Sequence, residues 1–117
     1  MNKTLRQRVM DLFHQYDTVM LVTCGQAGPQ ISQVAYRPEA IDLHLFVPHN
    51  SDHLFNLESQ SDVVLVSPAW KLMGKATLEP KTSHPALENW QRVVKVTPYR
   101  LHVLAKDGQN PIETIDF

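Results

Sequence analysis

The chain has 117 residues, 43% of them hydrophobic and 20% charged, and its formal net charge is −1. This size and composition predict one globular domain, residues 1–117, and argue against disorder. The scattered basic residues argue against a nucleic-acid partner, because binding a phosphate backbone needs a basic patch. The single cysteine, Cys24, the polar N-terminus and the lack of a long apolar run predict a cytoplasmic protein without membrane contact.

The first part of the chain predicts a helix followed by three strands. Residues 4–16 carry apolar side chains at helical spacing, and Thr4 with Gln7 has the form of a capping box. Turn residues at 25–29 and 37–40 then separate short runs rich in β-branched residues. The predicted strands are 18–24, 31–36 and 41–47. Three consecutive strands with short connections form an antiparallel meander.

The stretch from Ile41 to Leu57 predicts a strand that leads into a helix. Its first part alternates with a period of two, and Pro48 ends the strand because it has no N–H to donate. Asn50 or Ser51 can cap a helix over about 51–59. The side chains expected to face inward from this helix are Leu54 and Leu57. A helix start offers free N–H groups to a phosphate, although most such junctions are ordinary strand-to-helix joints.

The second half of the chain predicts further strands. Val63 to Val66 is apolar at every position, which indicates burial on both faces. Trp70 to Leu78 alternates, and Gly74 within it indicates a bulge or a close approach by another group. A helical turn is predicted at 84–90. It is followed by two strands at 92–97 and 99–104, or by one strand bent at Pro98. The tail is predicted to contain a turn, after which Ile115 and Phe117 pack on a neighbour.

Six or seven short strands with two helices predict a mainly β protein built as a small antiparallel barrel. No βαβ alternation, P-loop or GxSxG motif is present, and Cys24 has no obvious base nearby. His49 and His53 lack the HExxH context, so no metal site is predicted. The residues alone therefore indicate a small barrel with a possible anion pocket at Ser51.

Four short motifs occur in the order of a known family. Residues 50–57, NSDHLFNL, are similar to a small residue–Ser–x–Lys–x–x–Asn–Leu helix start, and the apolar strand at 63–66 follows them. Gly74-Lys75-Ala76 is similar to a Gly-x-Ala strand motif, and residues 113–117, ETIDF, resemble a common tail. Over nearly its whole length the chain resembles the pyridoxamine 5′-phosphate oxidase-like split-barrel family of flavin-binding proteins.

The resemblance implies a six-stranded antiparallel split barrel with an N-terminal helix and a short internal helix. It also implies a homodimer that binds FMN in a groove between the subunits. Ser51 and His53 would hold the phosphate of FMN. The other implied contacts are Gln33, Val34, Ala35 and Tyr36 along the flavin ring, largely through backbone groups, Phe46, Val47 and Pro48 along the ribityl chain and phosphate, and Trp70 and Lys71 on a strand that approaches the cofactor.

The helix start departs from the family pattern. His53 stands where the family has lysine, and Asp52 adds a negative charge beside it. A histidine is mostly neutral near pH 7 unless its pKa is raised, as a bound phosphate would tend to raise it. Arg37 is a second cation that could compensate for the missing lysine.

Two functions stay open at this point. One is an FMN-dependent oxidoreductase, in which the flavin transfers the electrons and no protein acid or base is required. The other is a non-catalytic dimer that stores or senses FMN or another cofactor, with deazaflavin and haem included, or that has lost its cofactor. The sequence identifies neither catalytic residues nor a substrate.

Overall fold

The computed structural model describes residues 1–80, 84–106 and 110–117. This part of the chain forms a mainly β structure with two flanking helices. The elements are α1 (Lys3–Phe13), β1 (Thr18–Thr23), β2 (Gln30–Glu39), β3 (Asp42–Pro48), α2 (Asp52–Leu57), β4 (Asp62–Val66), β5 (Trp70–Leu78), β6 (Gln91–Leu104) and β7 (Pro111–Asp116). Neither described helix is long and apolar enough to cross a membrane.

The strands form a closed six-stranded antiparallel barrel. Their order is β3-β2-β1-β4-β5-β6, and β3 pairs again with β6 to close the circle. In the closing pair Leu43 lies opposite Val96, and Val47 lies opposite Arg92. The seventh strand, β7, pairs with the C-terminal half of β6 outside the barrel. The predicted fold class is confirmed.

The period-two pattern of each strand fills the barrel interior. Leu43, Leu45 and Val47 of β3 are fully buried, as alternation from Ile41 predicts. Trp70 is fully buried, with its ring edge-to-face against Phe13 of α1 at 5.2 Å between ring centroids. Helix α1 therefore packs on the barrel through the same core, and burying each large apolar side chain contributes roughly 1.5–3 kcal/mol.

The N-terminal helix begins and ends earlier than the sequence predicts. Its cap is Asn2, whose side-chain oxygen accepts a hydrogen bond from the N–H of Leu5 at 2.8 Å. The predicted capping box of Thr4 and Gln7 is wrong, because Asn2 is an equally good cap and lies two residues earlier. Tyr16 lies beyond the helix and packs partly buried against the core.

Strand β2 extends through the predicted turn at 37–40. The chain reverses at Ala40, which has a positive φ of 55°. Pro38 is tolerated in the strand because β2 has passed the end of β1 there and pairs with β3 alone. Strand β1 stops at Thr23, so Cys24 is exposed and not part of the strand.

The second half of the barrel follows the predictions with three differences. Val64 and Val66 are half-buried, because they face outward from β4, whereas burial on both faces was predicted. Residues 84–90 form turns and not a helical turn. Phe117 is 38% exposed, although Ile115 is buried as predicted. Strand β6 runs unbroken past Pro98, which agrees with the predicted alternative of one bent strand. A turn is predicted in the tail, and residues 107–109 of that tail lie outside the described residues.

The bulge predicted at Gly74 is confirmed. The register between β5 and β6 shifts between Met73 and Gly74. A Cβ at Gly74 would lie 2.7 Å from Val96 Cγ1 and 2.9 Å from the backbone oxygen of Thr97. Glycine therefore allows β6 to bend closely over β5.

Candidate functional site

Helix α2 is fastened to the β1–β2 hairpin by the side chain of Asn56. Its Oδ1 accepts a hydrogen bond from the Ala27 N–H at 2.8 Å, and its Nδ2 donates to the Gly28 carbonyl at 2.9 Å and to Thr23 Oγ1 at 3.0 Å. Gly25 allows the close approach, because a Cβ there would lie 2.8 Å from the Asn56 carbonyl oxygen. The start of α2 is thereby held beside the beginning of β2.

His53 is buried at the base of the same helix. Its Nδ1 lies 2.7 Å from Thr23 Oγ1, and its Nε2 lies 3.0 Å from Ser32 Oγ. Burial lowers the pKa of His53, and the carboxylate of Asp52 opposes this to a smaller extent. The lowered pKa favours a neutral ring near pH 7, as expected for a histidine without a bound phosphate, at the position where the resemblance implies lysine.

Ser51 is the N-cap of α2. Its hydroxyl oxygen accepts a hydrogen bond from the N–H of His53 at 3.1 Å, and Asp52 is the acidic residue of the first turn. The predicted inward residues Leu54 and Leu57 are partly buried against the core, while His53 and Asn56 are the fully buried members of the helix. Sequence periodicity missed these two because they are polar.

Several implied site residues point into the barrel. Tyr36 donates its hydroxyl to the Phe13 carbonyl at 2.5 Å, and burial raises the pKa of Tyr36 to about 12. Trp70 Nε1 donates to the Leu12 carbonyl at 3.2 Å. The implied site residues with buried, inward side chains are Val34, Tyr36, Val47 and Trp70. Because the side chains of Val34 and Val47 point inward, a ligand outside the barrel could contact only their backbone groups.

A cleft lies on the outer face of β2 and β3, where residues of the 84–90 segment fold over them. We call it the β2–β3 cleft; it has a volume of about 340 Å³. It is lined by Asp17, Thr18, Ala35, Tyr36, Arg37, Phe46, Ala86, Glu88 and Gln91. It brings together Ala35, Tyr36 and Phe46 of the implied site and adds Arg37.

The other implied residues lie outside this lining. Gln33 is exposed on β2 and donates its side-chain amide to Thr18 Oγ1 at 3.0 Å, and Lys71 is exposed on β5. Pro48 ends β3. Sequence reasoning missed Asp17, Glu88 and Gln91, because their position depends on a loop path that no local pattern encodes.

A second cleft of about 490 Å³ adjoins the first one and shares Glu88 and Gln91 with it. We call it the histidine cleft; it is lined by His49, His84, Leu87, Glu88, Asn89, Gln91 and Arg92. Arg92 donates Nη2 to the Glu79 carbonyl at 3.0 Å, while its Nε is buried without a hydrogen-bond partner among the described residues. In residues 1–80, 84–106 and 110–117 no group of three or more metal-binding side chains occurs.

Comparison of the fold with solved structures gives matches over nearly the whole chain. The general stress protein 26 from Bacillus anthracis matches with a TM-score of 0.75 at 15% identity, covering 97% of this chain and 98% of that one. A Clostridium acetobutylicum protein related to general stress protein 26, of the pyridoxinephosphate oxidase family, matches with a TM-score of 0.71 at 13% identity, covering 100% and 96%. The heme storage protein HutZ from Vibrio cholerae matches with a TM-score of 0.66 at 14% identity, covering 83% and 92%.

The chain has the pyridoxamine 5′-phosphate oxidase-like split-barrel fold. No family model matches its sequence. No curated protein matches it either. The split barrel is therefore shared at the level of structure.

The outer face of the split barrel carries an apolar row across four strands. Ile31 lies opposite Val22, Val22 lies opposite Val64, and Val64 lies opposite Met73. Residues opposite each other share one face of an antiparallel sheet. Ile31 is 65% exposed, and the other three are half-buried. We call this set the outer apolar row.

The buried His53 predicts a pH-dependent stability of the split barrel. Because burial holds its pKa below the ordinary 6.5, the unfolded chain binds its proton first as the pH falls. The contribution of neutral His53 to the free energy of unfolding is complete above pH 6.5. Below pH 6.5 this contribution is lost, by at most about 1.4 kcal/mol per pH unit. Urea unfolding at pH 7.5 and 5.5 should therefore show a smaller decrease for His53→Gln than for the unchanged protein.

The matched control is His49→Gln, since His49 is exposed and lies between β3 and α2. Its decrease between the two pH values should equal that of the unchanged protein. An equal decrease in the His53 variant would contradict a lowered pKa at that residue.

Proposed function

We propose that this chain is an FMN-binding split barrel that acts as a homodimer and as a flavin-dependent oxidoreductase. The observation that carries the proposal is the β2–β3 cleft, in which Ala35 and Phe46 lie opposite each other on the outer face of two strands. A small side chain, an apolar ring and a cation at one cleft suit a flat and partly polar ring. The lone, exposed Cys24 fits a protein of the reducing cytoplasm.

In this site FMN would lie along β2. Its phosphate would lie beside Ser51 and His53, where α2 begins, and its ring would lie over Gln33 and Ala35, with Phe46 on the facing strand. Arg37 is five residues beyond Ser32, which is about 17 Å along an extended strand. Arg37 would therefore place its charge at the ring end and not on the phosphate, together with the carboxylates of Asp17 and Glu88.

The outer apolar row supports the homodimer. Ile31 of this row is 65% exposed, so the row leaves apolar surface open to solvent that a second copy of the chain would cover. The row adjoins Gln33, since Gln33 and Ile31 lie on the same face of β2. A partner bound there would stand next to the proposed ring site, as a groove between subunits requires.

Bound flavin would supply the electron or hydride transfer, so this chain's residues would position and shield it.

The non-catalytic alternative, storage or sensing of a cofactor, is favoured by one observation. A neutral His53 and the carboxylate of Asp52 leave the phosphate end with negative side-chain charge. Weak attraction for the phosphate fits reversible uptake of a cofactor as well as turnover.

Haem is a second candidate ligand because of the histidine cleft. His49 and His84 line it together with Arg92, which suits an iron ligand beside a partner for a propionate carboxylate. HutZ, one of the proteins with this fold, is described as a heme storage protein. A visible absorption titration with haemin, repeated on His49→Ala and His84→Ala, separates this candidate from FMN.

Substitution within the β2–β3 cleft tests the proposed flavin site. Ala35→Ile adds a stiff branched side chain that a strand accepts readily, but it fills the space over the ring position. We expect its dissociation constant for FMN to rise at least about tenfold, which corresponds to 1.4 kcal/mol. Fluorescence quenching of FMN during titration with protein gives this constant.

The control is Thr77→Ile, which places the same side chain at an exposed position of β5 away from the cleft. It should bind FMN as the unchanged protein does. Equal FMN binding by both variants would place the ring elsewhere.

A further inference from the structure

A series of side-chain hydrogen bonds, here called a chain, runs from the buried Asn56 to the exposed Ser32. It consists of Asn56, Thr23, His53 and Ser32. The amide of Asn56 has one orientation, because its oxygen accepts from a backbone N–H and its nitrogen donates to a backbone carbonyl. The direction of every later hydrogen bond in the chain follows from this fixed end.

Thr23 connects Asn56 to His53 and determines which group donates in the hydrogen bond to His53. Its hydroxyl oxygen accepts from Asn56 Nδ2 at 3.0 Å, and the residue is 2% exposed. In the described part of the chain, the acceptor within reach of its hydroxyl hydrogen is His53 Nδ1, at 2.7 Å. Since buried hydroxyl hydrogens are paired, Nδ1 accepts and carries no proton.

The imidazole proton of His53 is therefore on Nε2. This N–H donates to Ser32 Oγ at 3.0 Å, and the lowered pKa of His53 agrees with a neutral ring. Ser32 then uses its oxygen as the acceptor and keeps its own hydrogen free. Because Ser32 is exposed, this hydrogen faces a partner outside the protein, and each bond in the chain polarises the next.

We propose that Ser32 is the hydroxyl that binds the phosphate of FMN, and that the Asn56–Thr23–His53 chain positions it as a donor. The inference rests on the proposed function, because it names a residue of that same site. It assigns His53 a positioning role: the ring orients a neutral donor and supplies no charge. Ser32 then determines the preference for a phosphorylated flavin over an uncharged one.

The test compares FMN with riboflavin, which lacks the phosphate. Dissociation constants for both flavins are measured for the unchanged protein, Ser32→Ala, Ser32→Thr and the control Thr77→Val, which removes an exposed strand hydroxyl elsewhere. Because a hydrogen bond to a charged group is strong, we expect Ser32→Ala to reduce the preference for FMN roughly tenfold and to leave riboflavin binding unchanged. Ser32→Thr should restore the preference, and Thr77→Val should keep it.

Thr23→Val tests the chain itself, since it keeps the side-chain shape and removes the donor to His53. It should reduce the preference for FMN in the same direction. Nitrogen NMR of His53 gives an independent readout: a proton on Nε2 supports the chain, and a proton on Nδ1 overturns it. FMN binding with an unchanged preference in Ser32→Ala overturns this inference alone, whereas failure to bind either flavin overturns the proposed function as well.

Discussion

Replacement of Trp70 with alanine is expected to lower the free energy of unfolding by about 3–5 kcal/mol. Trp70 is fully buried, and its ring contacts Phe13 and Tyr36 edge-to-face, with centroid distances of 5.2 and 6.3 Å. Its indole N–H also pairs with the Leu12 carbonyl. The substitution therefore leaves a cavity where α1 meets the barrel, together with an unpaired carbonyl. Urea unfolding followed by circular dichroism measures the change.

Trp90→Ala is the matched control, because Trp90 is 55% exposed. It should change the free energy of unfolding by less than about 1 kcal/mol. Small domains are stabilised by roughly 5–15 kcal/mol in total, so the Trp70 variant should lose a large share of its stability. Equal effects of the two variants would contradict the burial of Trp70 between α1 and the barrel.

Replacement of Asn56 with alanine is expected to cost about 2–4 kcal/mol of stability. The substitution removes three hydrogen bonds and leaves the Ala27 N–H, the Gly28 carbonyl and the Thr23 hydroxyl without that partner. The effect should be local, because these bonds join α2 to the β1–β2 hairpin. Hydrogen exchange should be faster in α2 and in the hairpin turn than in β5 and β6.

Asn50→Ala controls for the loss of an asparagine next to the same helix. Asn50 is exposed, so its substitution should change stability by less than about 0.5 kcal/mol. Uniformly faster exchange throughout the Asn56 variant would show that the residue supports the whole barrel and not the attachment of α2.

The barrel could be predicted because its strands carry strong local patterns. Alternation in β3 predicted the burial of Leu43, Leu45 and Val47, and Gly74 predicted the bulge between β5 and β6. Element ends were predicted less well. The sequence pattern predicts a turn at Pro38, but a strand with one neighbour accepts proline, and sequence does not show how many neighbours a strand has.

The candidate site was harder to predict because it depends on polar residues and on long-range contacts. His53 and Asn56 are three residues apart on α2, and their polar character hides the fact that they face inward. The hydrogen-bond partners of His53, Thr23 and Ser32, lie 30 and 21 residues away from it in the sequence. Asp17 and Glu88 reach the β2–β3 cleft from separate loops. No local spacing rule encodes such pairs.

The most direct test of the central claim is sedimentation of the protein with FMN, followed both at the absorption of the protein and at the visible absorption of the flavin. The account predicts that flavin and protein move together, at a mass of twice 13.4 kDa. Flavin that sediments as a free small molecule beside the protein would contradict FMN binding. Flavin that moves with a particle of 13.4 kDa would contradict the homodimer and leave the cleft of one chain as the whole site.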